Sequence, residues 1–201
     1  MPRPRSPGYD EQREHILAAA AALFARSGYN ATTMKEVAEA CGVSKPTLYH
    51  YVRDKHDLLA QIARGHVRRL ESLVADVVAR ELPPEAHLRE LVHRFMTTYA
   101  GAHDEHRVLT ESVRHLDATL RREVVDGQGR VVQVFADAIA VLRPGGEPAA
   151  LHKALAMLLL GMLNWTFTWL GAGGALSHEA LGAVAADLFF GGLPAVRFPL
   201  A

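Results

Sequence analysis

Apolar residues recur at intervals of three and four along almost the whole chain, and no segment alternates apolar with polar for long. That spacing marks amphipathic helices and argues against strands. The first stripe, Ile16, Leu17, Ala20, Leu23 and Phe24, follows Asp10 as a prospective N-cap and stops at Ser27-Gly28. Thr33 and Glu36 are spaced as a capping box, which predicts a short second helix from Met34 to about Ala40 with Val37 and Ala38 inward. Gly42 suits the left-handed end of that helix, and Ser44 can cap a third over Lys45 to about Tyr51. Asp54 caps a fourth helix, in which Leu58, Leu59, Ile62, Val67, Leu70, Leu73, Val74, Val77 and Val78 hold the stripe until Leu82-Pro-Pro84. At about 27 residues it would be a rod of roughly 40 Å.

Beyond the prolines the pattern predicts helices over 85–100, 105–115, 117–142, 148–170 and 178–190. Breaks fall at Gly101, near Leu116, at Pro144-Gly-Gly146 and over Gly171 to Gly174, and Ser177 caps the last helix. The expected fold is therefore all-α with about nine helices. Residues 1–9 read as a flexible basic arm, 10–55 as a short segment of three helices and the start of a fourth, and 56–201 as a larger helical part.

One stretch bears on membranes. Ala154 to Leu176 carries no charge, yet Asn164, Thr166 and Thr168 interrupt it and its strongly apolar part is only Leu155 to Leu163. A buried helix is expected there instead of a span. Elsewhere, 49% hydrophobic and 22% charged residues in 201 suit a soluble globular protein of one or two domains. The formal net charge is zero, so any affinity for nucleic acid must come from local charge. From Arg3 to Lys55 there are eight Lys or Arg and six Asp or Glu, an excess of two positive charges that dimerisation would double. Cys41 is the only cysteine, which excludes an intramolecular disulfide and suits a reducing cytoplasm.

Catalysis finds no support: there is no serine nucleophile elbow, no phosphate-binding glycine motif and no recognisable carboxylate pair. No enzyme activity and no cofactor are expected. The densest metal-like cluster is His103-Asp-Glu-His106 with Glu111 and His115, whose spacing matches no known signature and equally suits a solvated loop with helix caps.

What remains is the head. A helix-turn-helix needs a packed scaffold, a tight turn, and small or polar side chains where its second helix meets base edges. Leu48 can anchor the third helix, while Ser44, Lys45, Pro46 and Thr47 lie at its start, the last three able to point into a major groove. Phosphate contacts are expected from Thr33, Tyr49, His50, Tyr51 and Lys55. Taken singly, Tyr49 and Tyr51 could equally be half-buried aromatics; the coincidence of caps, turn and basic residues in one segment favours the DNA reading. Ile16-Leu-Ala-Ala-Ala-Ala-Ala-Leu-Phe24, Gly28-Tyr-Asn-Ala-Thr-Thr-Met34 and Gly42-Val-Ser-Lys-Pro-Thr-Leu-Tyr-His-Tyr51, with Lys55 and Leu58-Leu59, resemble the TetR (tetracycline repressor) family. The resemblance implies a helix-turn-helix DNA-binding domain over 10–55 and a ligand-binding and dimerisation domain over 56–201, in a homodimer on a palindromic double-stranded operator, joined through its last two helices and released by a small hydrophobic effector. Leu48-Tyr-His-Tyr-Val52 departs from the family's common Leu-Tyr-Tyr-His-Phe, which leaves Tyr49 as the family-like contact of the three aromatic side chains.

In the C-terminal part, the helix over 148–170 is apolar nearly all round, so burial on more than one side is expected, with Leu181, Val184, Ala185, Leu188 and Phe189 as the last helix's stripe. Gly161 would let a neighbouring backbone come close. Asn164-Trp-Thr-Phe-Thr-Trp-Leu170, Gly173-Gly-Ala-Leu-Ser177 and Ala186-Asp-Leu-Phe-Phe190 are similar to family members that sense acyl-coenzyme A thioesters, which makes such a thioester the leading effector class. An aromatic or drug-like effector is the alternative. Helical spacing nominates Phe95, Met96, Tyr99, Phe135, Trp165 and Trp169 as ligand residues, against the plain reading that aromatic stripes are core.

Overall fold

The computed structural model describes residues 8–170 and 176–197, apart from the side chain of Phe167. The expected basic arm and the glycine break from Gly171 to Gly174 lie outside the described residues, except for the arm's last two positions. Among the described residues there are nine α-helices and no strand. They are α1 (Tyr9–Ser27), α2 (Met34–Ala40), α3 (Lys45–Leu48), α4 (Lys55–Val78), α5 (Pro84–Gly101), α6 (His103–Glu111), α7 (Ala118–Leu142), α8 (Ala149–Asn164) and α9 (His178–Gly192).

The termini of these helices follow local chemistry. Thr33 Oγ1 accepts from the Glu36 amide at 3.2 Å while Glu36 Oε2 accepts from the Thr33 amide at 2.7 Å, so the capping box at α2 is complete. Ser44 Oγ accepts from the Thr47 amide at 3.2 Å, Asp54 Oδ1 from the Asp57 amide at 2.7 Å, and Ser177 Oγ from the Ala180 amide at 3.0 Å. Asp10 does not cap α1. Gly8, at φ 85°, precedes a helix that starts at Tyr9, and Asp10 sits in the first turn, where its charge suits the helix dipole.

Four helices end earlier than their patterns predict. After Leu48 the chain tightens through His50 N to Thr47 O (3.1 Å) and Tyr51 N to Leu48 O (3.0 Å). Past Val78 the Arg80 and Glu81 amides bond three residues back, and Glu81 at φ 47° closes the helix ahead of Pro83. Past Asn164, a short 3₁₀ turn runs over Trp165–Thr168, where the Thr166 and Thr168 hydroxyls each donate to the carbonyl three residues back at 2.7 Å. The predicted 105–115 helix is likewise α6 followed by a 3₁₀ turn over Val113–His115.

The chain divides into two compact units: 1–66 with 104–124, and 67–103 with 125–201. The first buries Ile16, Ala20, Leu23 and Phe24 of α1, Val37 and Ala38 of α2, Leu48 of α3, Leu58, Leu59 and Ile62 of α4, and Val108 and Leu109 of α6. The core of the second gathers Leu70, Val74 and Val77 of α4, Leu88, Leu91, Val92, Phe95 and Met96 of α5, Phe135 and Ile139 of α7, Leu155, Leu159 and Leu163 of α8, and Phe189 of α9. Here α9 lies close on α5. A Cβ at Gly182 would stand 2.9 Å from Met96 Cγ, a distance only glycine permits.

Candidate nucleic-acid interface

In the head, α1 packs on α2 and α2 on α3. Four residues, Cys41 to Ser44, separate α2 from α3, and the turn closes as a Schellman motif. Val43 N donates to Ala38 O at 3.0 Å and Gly42 N to Glu39 O at 3.1 Å, with Gly42 at φ 63°. α3 then has one fully buried side chain, Leu48, while Lys45 and Pro46 are exposed and Thr47 is half-buried. An anchor on one side and small or charged groups on the other is the arrangement that base readout requires.

The expected contacts are not equally available. Ser44 and Thr47 share a hydroxyl–hydroxyl hydrogen bond of 2.7 Å, which orients Thr47. Tyr49 is 48% exposed, and His50 beside it is exposed as well. Tyr51 is half-buried, its ring stacked on Tyr9 at 4.8 Å between centroids. Thr33 donates its hydroxyl to Glu36 Oε2 at 2.8 Å, so the Glu36 carboxylate occupies the start of α2. The backbone and side-chain hydrogen bonds of Thr33 hold that carboxyl below its ordinary value. Lys55 differs most from expectation. Its Nζ donates to the carbonyls of Tyr29 (3.0 Å), Asn30 (3.2 Å) and Thr32 (3.0 Å), and lies 4.7 Å from the centre of the Tyr29 ring.

Sequence reasoning passed over several residues that hold this head together. Arg13 donates twice to Gln61 Oε1, at 2.9 and 2.6 Å, and Gln61 Nε2 reaches Asp57 Oδ2 at 3.2 Å, so α1 and α4 are tied by polar side chains. Tyr29 carries Phe24 at its edge and stacks on His115 at 4.9 Å. Neither tie has a local sequence signal, because the partners are 48 and 86 positions apart, the latter from residue 29 to residue 115.

The six nominated ligand residues do not converge. Phe95, Met96, Tyr99 and Phe135 are fully buried core of the second unit. Phe95 meets Phe135 edge to face at 5.0 Å, and the Tyr99 hydroxyl donates to Asn164 Oδ1 at 2.6 Å. Burial pushes the Tyr99 phenol far up, so it stays protonated. Trp165 and Trp169 instead stand exposed, Trp165 at 66%, and line an apolar groove of about 460 Å³ with Gly161, Met162, Leu181, Val184 and Leu188. Among the described residues, no atom beyond its own stretch of helix lies within 4 Å of where a Gly161 Cβ would stand, and Gly161 lines that groove. Met157 and Leu158 of α8 are exposed too, and of the expected α9 stripe Ala185 and Phe189 are buried, Leu181 half-buried, and Val184 and Leu188 exposed. A second cavity, of about 390 Å³, is lined by Val78, Leu82, Pro84, His87, Val134, Asp137, Ala138 and Val141, none of them among the nominated ligand residues.

The histidine-acid cluster disperses. His106 is buried, with its Nδ1 3.4 Å from His66 Nε2, while Glu111 pairs with Arg107 at 3.1 Å and His115 stacks on Tyr29. Among the described residues no three histidine, cysteine or acidic side chains are grouped to hold a metal ion, and no helix is long and apolar enough to cross a membrane.

Two family models match this chain: "Bacterial regulatory proteins, tetR family" over residues 16–62, and "Tetracyclin repressor-like, C-terminal domain" over residues 81–193, more than half of its length. The chain belongs to the TetR family. Among TetR-family relatives, the transcriptional repressor KstR2 of Rhodococcus jostii (strain RHA1) is 32% identical over 114 residues, 57% of this chain and 56% of that protein. The chain thus spans about half the length of the first curated relatives it matches. A TetR-family regulator from Bordetella parapertussis 12822 superposes with a TM-score of 0.87 at 32% identity, over 94% of this chain and all of that one. AibR, solved with isovaleryl coenzyme A and operator DNA, shares the TetR fold at a TM-score of 0.77 and 24% identity, over 88% of this chain and 97% of that one.

Proposed function

We propose that this TetR-family chain is a ligand-responsive transcriptional repressor that binds a palindromic operator as a cytoplasmic homodimer and is released by a small hydrophobic effector. The display of Lys45, Pro46 and Thr47 from a helix anchored by Leu48 carries the DNA-binding part of this reading. In it, residues 10–55 form the DNA-binding domain, with Lys45, Pro46 and Thr47 at base edges and Ser44, Thr33, Tyr49, His50 and Tyr51 along the phosphates. Residues 56–201 bind the effector and dimerise. The exposed apolar face of α8, the turn after it and α9 supports the dimer, since Met157, Leu158, Met162, Trp165, Val184 and Leu188 stand exposed and a second copy would bury them. Two recognition helices then enter major grooves about 34 Å apart, and an effector that prefers a different placement of α4 by a few kcal/mol weakens both.

An acyl-coenzyme A thioester is the effector class we favour, because a relative of the same fold was solved with one. An aromatic or drug-like molecule is the second reading. The 390 Å³ cavity favours it, since Asp137 and His87 are its polar lining and no lysine or arginine is among the described residues that line it to meet coenzyme phosphates. Thermal melting with a panel of acyl-coenzyme A species, free coenzyme A and apolar amines separates the two, followed by release of a duplex selected from a random-sequence pool. Stabilisation and release by acyl-coenzyme A species alone supports the first reading; release by amines alone replaces it with the second; tight binding that leaves DNA affinity unchanged removes effector control.

A further inference from the structure

The first turn of α4 carries a cation where the helix dipole disfavours one, since Lys55 is the first residue of the helix and the N-terminal end is positive. Its ammonium is turned away from the helix and into the connection between α1 and α2. Three carbonyls, of Tyr29, Asn30 and Thr32, converge on it at 3.0 to 3.2 Å, and the Tyr29 ring presents its π-electrons at 4.7 Å. An ammonium has three N–H groups, and all three are used. Three carbonyl dipoles brought together without a cation would repel one another, so the lysine and the shape of the connection depend on each other.

That connection sets the recognition helix. Thr32 is buried, with its hydroxyl donating to Gly28 O at 3.0 Å, and the next residue, Thr33, is the N-cap of α2. α2 in turn packs on α3. A shift of residues 29–32 therefore moves the start of α2, and with it Lys45 and Thr47.

We infer that Lys55 is a positioning residue, a three-carbonyl clamp that fixes the α1–α2 connection to the start of α4 and so sets the recognition helix, and that it does not bind phosphate. The inference rests on the DNA-binding reading above. A compact tetrahedral ammonium suits three convergent carbonyls, whereas a planar guanidinium suits a phosphate.

Lys55→Arg and Lys55→Met discriminate the two roles. The probe is a duplex selected from a random-sequence pool by the wild-type protein, titrated at several salt concentrations and at a temperature where melting curves show every variant folded. For a clamp, both variants lose about tenfold or more in affinity, Arg fails to rescue, and the dependence of log K on log salt keeps its slope. Hydrogen exchange measured without DNA rises over residues 29–33 in both variants. For a phosphate contact, Arg retains affinity, Met lowers the slope by about 0.9 and exchange is unchanged; any of these three results overturns the inference. Should the wild type select no duplex, the DNA-binding reading falls, and the exchange measurement still decides whether the clamp holds the connection.

Discussion

Two exposed surfaces of this protein are built on opposite principles. The face of α3 is polar and locally determined: Ser44 caps it, the Ser44–Thr47 hydroxyl pair orients it, and Leu48 alone anchors it. The face of α8 and α9 is apolar and incomplete, with Leu188 67% exposed beside Val184, Met162 and two tryptophans. A polar face is stable in water and waits for a ligand; an apolar face of this size is a cost until something covers it. In the proposed dimer the second surface makes the first effective, because two weak heads joined rigidly bind one operator far more tightly than either alone.

Putting a charge on the apolar face should give the largest effect. Leu188→Glu should convert the dimer to monomer in light scattering, since burying an unpaired carboxylate at an interface costs more than the leucine contributed. Loss of the joined second head should then weaken binding to a selected duplex by about 100-fold or more. Trp165 and Trp169, the only two tryptophans, report the same event: their emission should move to longer wavelength as the groove is wetted. Unchanged mass and unchanged emission would assign the apolar face to some other partner.

Changes on the polar face should be smaller and selective. Lys45→Ala or Thr47→Ala should weaken binding by about 1–3 kcal/mol and relax base preference at one position of each half-site, read by competition among mutated duplexes. Tyr49→Phe should weaken all duplexes alike. Were the two classes of substitution to alter selectivity equally, the division of this face into base and phosphate contacts would be wrong.

The same contrast explains what the sequence made legible. Thr33, Ser44, Asp54 and Ser177 cap helices through rules acting within three residues, so α2, α3, α4 and α9 start where their patterns say. Helix ends were less legible, because competing hydroxyls at Thr166 and Thr168, or a left-handed Glu81, stop a helix whose apolar stripe continues. Spacing also nominated Phe95 and Trp165 alike, although one is sealed in the core and the other exposed. Periodicity reports which side of a helix is apolar. It does not say whether that side meets its own chain, a second copy or a ligand, and the Arg13–Gln61 and Tyr29–His115 ties depend on distant segments meeting.

The smallest effect tests the local rule itself. Thr33→Ala removes the hydroxyl that accepts from the Glu36 amide and donates to its carboxylate, and loss of such a cap costs about 1 kcal/mol of stability. Part of that loss should depend on pH. Glu36 in the folded protein titrates below its ordinary value of 4.5 because of the Thr33 backbone and side-chain hydrogen bonds. A group with a depressed folded value stabilises fully above the unfolded value, and its contribution disappears as pH falls through the folded one. The difference in melting temperature between wild type and Thr33→Ala should therefore be greatest above pH 4.5 and narrow in more acidic buffer, leaving only the part due to the amide contact. A difference that stays constant across that range would mean that the carboxylate draws nothing from the Thr33 hydroxyl, and that the backbone hydrogen bond alone holds it at the start of α2.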